Sequence, residues 1–222
     1  MLSILPDSVS ADIAKAAGGE ISFQNIGQGL VELRIIRDQS HLVNYRDLHS
    51  WHRGGGETYV SDFSIDFVDE NDDVQTLHIL GKAIICLTNV EHRWKQWEKR
   101  SNILIAHGVN VPNNFSYWRG VVFQQYIPFD FCSYFATRSA AERSLLADKL
   151  IDFAIKIDKA GFYVTGFMHN LRTDGNDIYI VDVGEDLGDP DASLDSRRTF
   201  DLANRWIQRA QATSQASGDT MQ

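Results

Sequence analysis

The chain has 222 residues, enough for one compact domain with a sizeable core or for two small lobes. Its formal net charge is −9 and its pI about 5.2, a balance that works against binding the phosphate backbone of nucleic acid. No apolar run reaches membrane-spanning length, and Met1–Asp7 lacks the basic start and apolar core of a signal peptide.

The two cysteines, Cys86 and Cys132, stand far apart among apolar residues and read as reduced core thiols of a cytoplasmic protein. From the N-terminus, Ser10 to Ala17 suggests a short helix ended by Gly18-Gly19. Asn25-Ile26-Gly27-Gln28-Gly29 is one glycine-rich stretch and Gly54-Gly55-Gly56 another, the latter placed just before a strand over Val60 to Val68. A glycine run lets backbone N–H groups approach a phosphate closely, and it equally makes a flexible surface loop. The acidic run Asp66 to Asp73 reads as the turn of a β-hairpin leading into a second strand, Asp73 to Ile85, which carries Lys82 in a mostly apolar setting. A buried lysine is costly unless paired, although a strand-end lysine can also snorkel to water. Val90, Trp94, Trp97, Ser101, Leu104 and Ile105 fall at helical spacing, so Asn89 to His107 is predicted as an amphipathic helix stopped by Gly108. It carries Glu91 and Glu98.

Gly120 to Pro128 reads as a buried strand. Ser139-Ala140-Ala141-Glu142 is a capping box, and Leu146, Leu150, Phe153 and Ile157 continue a core-facing stripe to Ala160, with Gly161 as the stop. The segment Gly161 to Glu185 then reads as strand, turn, strand: Thr173 to Asp177 are turn formers, and Ile178 to Val181 are β-branched or aromatic. In such a hairpin Asn170 and Asp182 converge at the open end, where an amide oxygen and a carboxylate are hard ligands suited to Mg²⁺ held against substrate phosphates. An ordinary surface hairpin with solvated polar ends has the same pattern. Glu185 to Asp191 is a further acidic loop, and Glu185 could add to cation binding. Asp195 is a plausible cap for a last helix with Phe200, Ala203, Ile207 and Ala210 on its apolar stripe, and Arg197 and Arg198 near its start could meet an acidic or phosphorylated substrate. Thr213 to Gln222 is polar and reads as a disordered tail.

In this order the segments resemble the protein-kinase-like fold, in the short-hairpin form of aminoglycoside, choline and lipopolysaccharide-core kinases. Asn170 followed by Asp182-Val183-Gly184 looks like the catalytic-loop Asn and the DFG-type Asp of that fold, which implies that both bind metal. The strand of Lys82 resembles the one whose lysine holds the α- and β-phosphates, with Glu98 near the place of its helix partner. His107 to Pro112 looks like the "hGvpvP" element of these families, and Gly120 to Pro128 resembles the hinge, which implies that backbone groups of Gln124 to Tyr126 face the adenine. Gly54, Gly55 and Gly56 stand in for a phosphate loop without spelling its pattern. One position departs: active members carry an Asp five residues before the loop Asn, and here it is Thr165. His169 and Asp174 are the nearest replacements as proton acceptor.

The expectation is therefore an α+β protein with a two-lobed protein-kinase-like fold. It comprises an N-terminal extension (1–19), an antiparallel-sheet N-lobe (20–122), a reduced helical C-lobe (123–212) and a tail (213–222). The resemblance implies ATP and Mg²⁺ in the cleft and transfer of phosphate to a hydroxyl acceptor, as in small bacterial kinases. The alternative is an inactive pseudokinase that serves as a nucleotide-binding regulatory or interaction module for a protein partner. A third possibility is an α+β protein of unrelated fold.

Overall fold

Asp69, Asn71 and Asp72 fold the acidic run into a tight turn between two long strands, β3 (Thr58–Val68) and β4 (Val74–Ile84). The computed structural model describes residues 31, 37–38, 41–47, 52–53, 58–69, 71–84, 90–118, 121–164, 166–184, 187–188 and 198–218. The segments 1–30, Gly54–Gly56, Cys86, Thr165, Glu185 and 189–197, with the expectations attached to them, lie outside the described residues. In the β3–β4 turn the Asp69 side chain accepts the N–H groups of Asn71 (2.8 Å) and Asp73 (3.1 Å), and Asp72 takes a φ of +65°, a conformation Asp tolerates better than most residues.

The chain divides into two compact units, 1–94 with 112–126 and 95–111 with 127–222. In the first, β3 and β4 form the centre of a six-stranded antiparallel sheet. The others are β1 (Leu42–Asp47), β2 (His52–Arg53), β5 (Asn114–Trp118) and β6 (Val121–Gln125), in the order β1-β3-β4-β6-β5 with β2 on β3. Strand alternation sorts the residues into two faces. Ile65, Phe67 and Ile79 are buried on one. The other carries Val122 together with polar residues that are also buried, Asp62, Ser64, Lys82 and Gln124.

Helix α1 (Val90–Ala106) spans the boundary between the units. Trp97, Ser101 and Leu104 are buried along one stripe, whereas Ile105 is 54% exposed. Ile105 follows Leu104 directly and so is turned by about 100° from the buried stripe, which corrects its placement there. The φ of +74° at Gly108 ends the helix by letting the Val109 N–H reach back to the Leu104 carbonyl (3.0 Å).

The second unit is mainly helical: α2 (Phe131–Ala136), α3 (Ala140–Lys159) and α4 (Arg198–Gly218). Small antiparallel pairings accompany them. β9 (Leu171–Thr173) lies between β10 (Ile178–Ile180) and β7 (Phe129–Asp130), and β8 (Tyr163–Val164) pairs with β11 (Leu187–Gly188). Ser139 and Glu142 form both bonds of the capping box that opens α3, and Leu146, Leu150, Phe153 and Ile157 are buried as its stripe predicts. They share a core with Leu104, Val109, Phe131, Leu171, Ile180, Val183, Ala203 and Ile207. Phe135 and Trp206 meet edge to face at 5.0 Å and tie α2 to α4. In the first turn of α4 the N–H groups of Thr199 and Phe200 donate to the Asp158 carboxylate of α3 at 2.9 Å each. The start of α4 is therefore satisfied by a residue from another helix. Arg198 lies over the Tyr163 ring at 4.9 Å. Helix α4 continues to Gly218, past Thr213 where the sequence suggests a tail. Among the described residues no helix is long and apolar enough to cross a membrane.

Candidate functional site

The β9–β10 hairpin pairs Leu171 with Ile180, Arg172 with Tyr179 and Thr173 with Ile178. The Val181 N–H donates to the Asn170 carbonyl (2.9 Å), which carries the ladder one step beyond the strands. Asn170 and Asp182 therefore flank the same open end. Burial of Leu171, Ile178, Ile180 and Val183 holds this end against the core. Asn170 is the last residue of a 3₁₀ turn, Phe167–Asn170, entered through Gly166 at a φ of +65°. His169 belongs to the same turn and is exposed, with its N–H on the Gly166 carbonyl (2.8 Å). The Cys132 thiol of α2 donates to the Met168 carbonyl (3.8 Å), and burial, with Asp130 nearby, pushes its pKa up to about 11.

Asp174 sits at the closed end of the hairpin. The intervening strand separates it from Asn170 by roughly 13 Å, four residues at 3.3 Å each, and from Asp182 by at least as much. One carboxylate oxygen accepts the N–H groups of Asn176 and Asp177 (2.8 Å each), and the other accepts the Tyr179 hydroxyl (3.1 Å). Partial burial works to raise its pKa, but the Asp177 and Asn176 N–H groups and the Tyr179 hydroxyl outweigh it and hold the carboxyl below its ordinary value. Tyr179 is pushed the other way, to about 12, by burial first and then by Asp174. This carboxylate closes a turn, with both of its oxygens engaged by that turn. Gly175, at a φ of +102°, offers its carbonyl to the Tyr134 hydroxyl (3.4 Å), and Lys149 donates to the Asn176 carbonyl, so α2 and α3 both hold the hairpin tip.

Asp182 accepts the Gly184 N–H at 3.0 Å. Arg100 of α1 donates to the Val183 carbonyl (3.4 Å) and to the Gly184 carbonyl. Sequence reasoning missed Arg100. Its position three residues after Trp97, on the edge of the buried stripe, was the available signal.

In the first unit Lys82 is 5% exposed and lies inside β4, so it does not snorkel. Asp62, 8% exposed, shares its face of the sheet. Asp62 pairs with Leu80 while Lys82 pairs with Val60, which makes the two charged residues diagonal neighbours. Glu98, the expected acidic partner, is exposed on α1. Gln124 lies on the same sheet face as Lys82, 2% exposed, and its side-chain nitrogen has no hydrogen-bond partner among the described residues. Tyr126 donates its N–H to the His78 carbonyl (3.3 Å), and Gln125 donates to Asn113 (2.7 Å). These two backbone donors are thus already used within the sheet. Gly54, Gly55 and Gly56 lie outside the described residues.

The structure thus brings Asn170, His169 and Asp182 to one end of the hairpin and sets Asp174 at the other. It puts Lys82 and Gln124 on one face of the sheet. Among the described residues no three or more His, Cys, Asp or Glu side chains gather as a metal cluster. An amide oxygen and a carboxylate, completed by phosphate and water oxygens, is a Mg²⁺ ligand set that needs no such cluster. No family model matches the chain, and no curated protein matches it.

Proposed function

We propose that this chain is an ATP- and Mg²⁺-dependent phosphotransferase with a two-lobed protein-kinase-like fold, acting on a hydroxyl group of a glycan, a small molecule or a protein. The observation that carries the reading is the hairpin register, in which Val181 donates to Asn170 and leaves Asn170 and Asp182 flanking one open end. Element order supports it as well: the Lys82 strand, the Glu98 helix, the Gln124 strand, the long helix α3, then Asn170 and Asp182. In this reading Asn170 and Asp182 hold Mg²⁺, Lys82 holds the α- and β-phosphates, and Gln124 and Tyr126 lie along the base. The bound magnesium nucleotide supplies the phosphoryl group and neutralises charge as it is transferred. The chain's own work is positioning: a buried lysine within a strand and two hard ligands at the end of a paired hairpin need little reorganisation when charge shifts. His169, exposed beside Asn170, is the remaining candidate to take the hydroxyl proton.

Two observations favour an alternative, a pseudokinase that binds nucleotide as a regulatory or interaction module. Thr165 stands where the resemblance implies an Asp, and both oxygens of Asp174 are engaged by its own turn.

Thermal melting with and without Mg²⁺-ATP tests both. Ligand at a hundred times its Kd adds about 2.7 kcal/mol of stability, an effect that Lys82→Ala and Asp182→Ala should each remove. Transfer of labelled γ-phosphate that disappears in both variants supports the enzyme. Binding without transfer selects the pseudokinase, and a melting curve indifferent to nucleotide sinks both.

A further inference from the structure

We infer that Arg100 is a positioning residue for the Asp182 carboxylate, acting through the peptide group between Val183 and Gly184; the inference rests on the metal-binding reading of Asp182 given above. The Val183 carbonyl and the Gly184 N–H belong to one peptide unit. Its oxygen accepts from Arg100 (3.4 Å) and its nitrogen donates to Asp182 Oδ1 (3.0 Å). Arg100 also donates to the next carbonyl, that of Gly184. The peptide plane is thereby held from both sides, and the cation on its carbonyl polarises the N–H that meets the carboxylate. The Val183 side chain is fully buried in the core, so the turn is anchored by packing as well. Without the guanidinium the Val183 carbonyl loses its cationic donor, the peptide is freer to tilt, and the Gly184 N–H is less well aimed at Asp182. A planar guanidinium offers several N–H groups in a fixed fork, which suits two successive carbonyls better than the compact ammonium of lysine does.

Partners that orient a metal ligand typically change metal affinity by about 10–100-fold when removed. Two readouts on the full chain decide the matter. One is the amide resonance and hydrogen exchange of Gly184 by NMR, without nucleotide or metal. The other is binding of Mn²⁺ in the presence of a non-hydrolysable ATP analogue, followed by electron paramagnetic resonance. Arg100→Gln should shift the Gly184 amide, speed its exchange, and weaken Mn²⁺ binding by about 10-fold or more at an unchanged melting temperature. Arg100→Lys should fall between. If Arg100→Gln melts well below wild type, Arg100→Lys carries the comparison on the same two readouts. A Gly184 amide unchanged in the variant overturns the inference whatever the metal does. Loss of Mn²⁺ in Asp182→Asn with full binding in the Arg100 variant also overturns it, while leaving the metal reading intact. Mn²⁺ binding that ignores Asp182→Asn overturns the metal reading, and this inference with it.

Discussion

Asp174 is where a turn-holding role and a catalytic role give opposite results. Asp174→Ala removes an acceptor that takes two N–H groups at 2.8 Å and a hydroxyl at 3.1 Å. Hydrogen bonds to a charged group contribute about 1.5–3 kcal/mol each when shielded, but Asn176 and Asp177 are exposed and water replaces much of the loss. A net cost of about 2 kcal/mol follows, and Asp174→Asn, which keeps a neutral acceptor, should cost about 1 kcal/mol. Urea unfolding reads both as a lower midpoint at constant slope. The pH dependence adds a signature. The folded carboxyl sits below its ordinary value, so its contribution is fully present above the unfolded pKa of about 3.9 and is lost as pH falls through the folded one. Wild type should therefore lose stability below pH of about 4 more steeply than Asp174→Asn does. The reasoning is refuted if the two acid limbs coincide, or if Asp174→Ala unfolds at the wild-type midpoint. If Asp174→Asn instead abolishes phosphate transfer at unchanged stability, the carboxylate is a catalytic residue after all.

Two further outcomes are expected. Asp158→Ala strips the start of α4 of both its 2.9 Å bonds and should cost about 1–2 kcal/mol, with faster amide exchange at Thr199 and Phe200; exchange as slow as in wild type would show that another group caps the helix. With its pKa at about 11, the Cys132 thiol is ionised in roughly one molecule in a thousand at pH 8. In a Cys86→Ser background, alkylation should therefore run about a hundredfold or more below that of the urea-unfolded chain, and equal rates would contradict the burial.

Local signals carried the sequence reading where they were dense. A capping box, a four-residue apolar stripe and a terminal glycine all lie within or beside helix α3, so its bounds and buried face were legible. The β3–β4 and β9–β10 hairpins announced themselves through Asp- and Asn-rich turns, and the register followed from where the turns close. Other elements exist only because of distant partners. β7, β8 and β11 have two residues each and are strands only by pairing with β9 or with one another, so no local pattern marks them. Helix α2, at six residues, is too short for a periodic signal, although Asp130 caps it. β1 and β5, the two ends of the sheet order, carry no such turn signal. At the candidate site the ends of the hairpin were readable because they lie four and five residues from its turn. Arg100 lies far from Gly184 in the chain, and no spacing rule links the two.

The two hairpin turns differ in what a protein engineer can do with them. Residues 71–76 stand exposed at the β3–β4 turn, so an epitope or fluorophore inserted there would displace little beyond the turn itself. The β9–β10 turn is just as loop-like in sequence, yet Tyr134 and Lys149 fasten its tip to two helices. A graft at Gly175-Asn176 would pull on those helices and, along the strands, on the far end that carries Asn170 and Asp182.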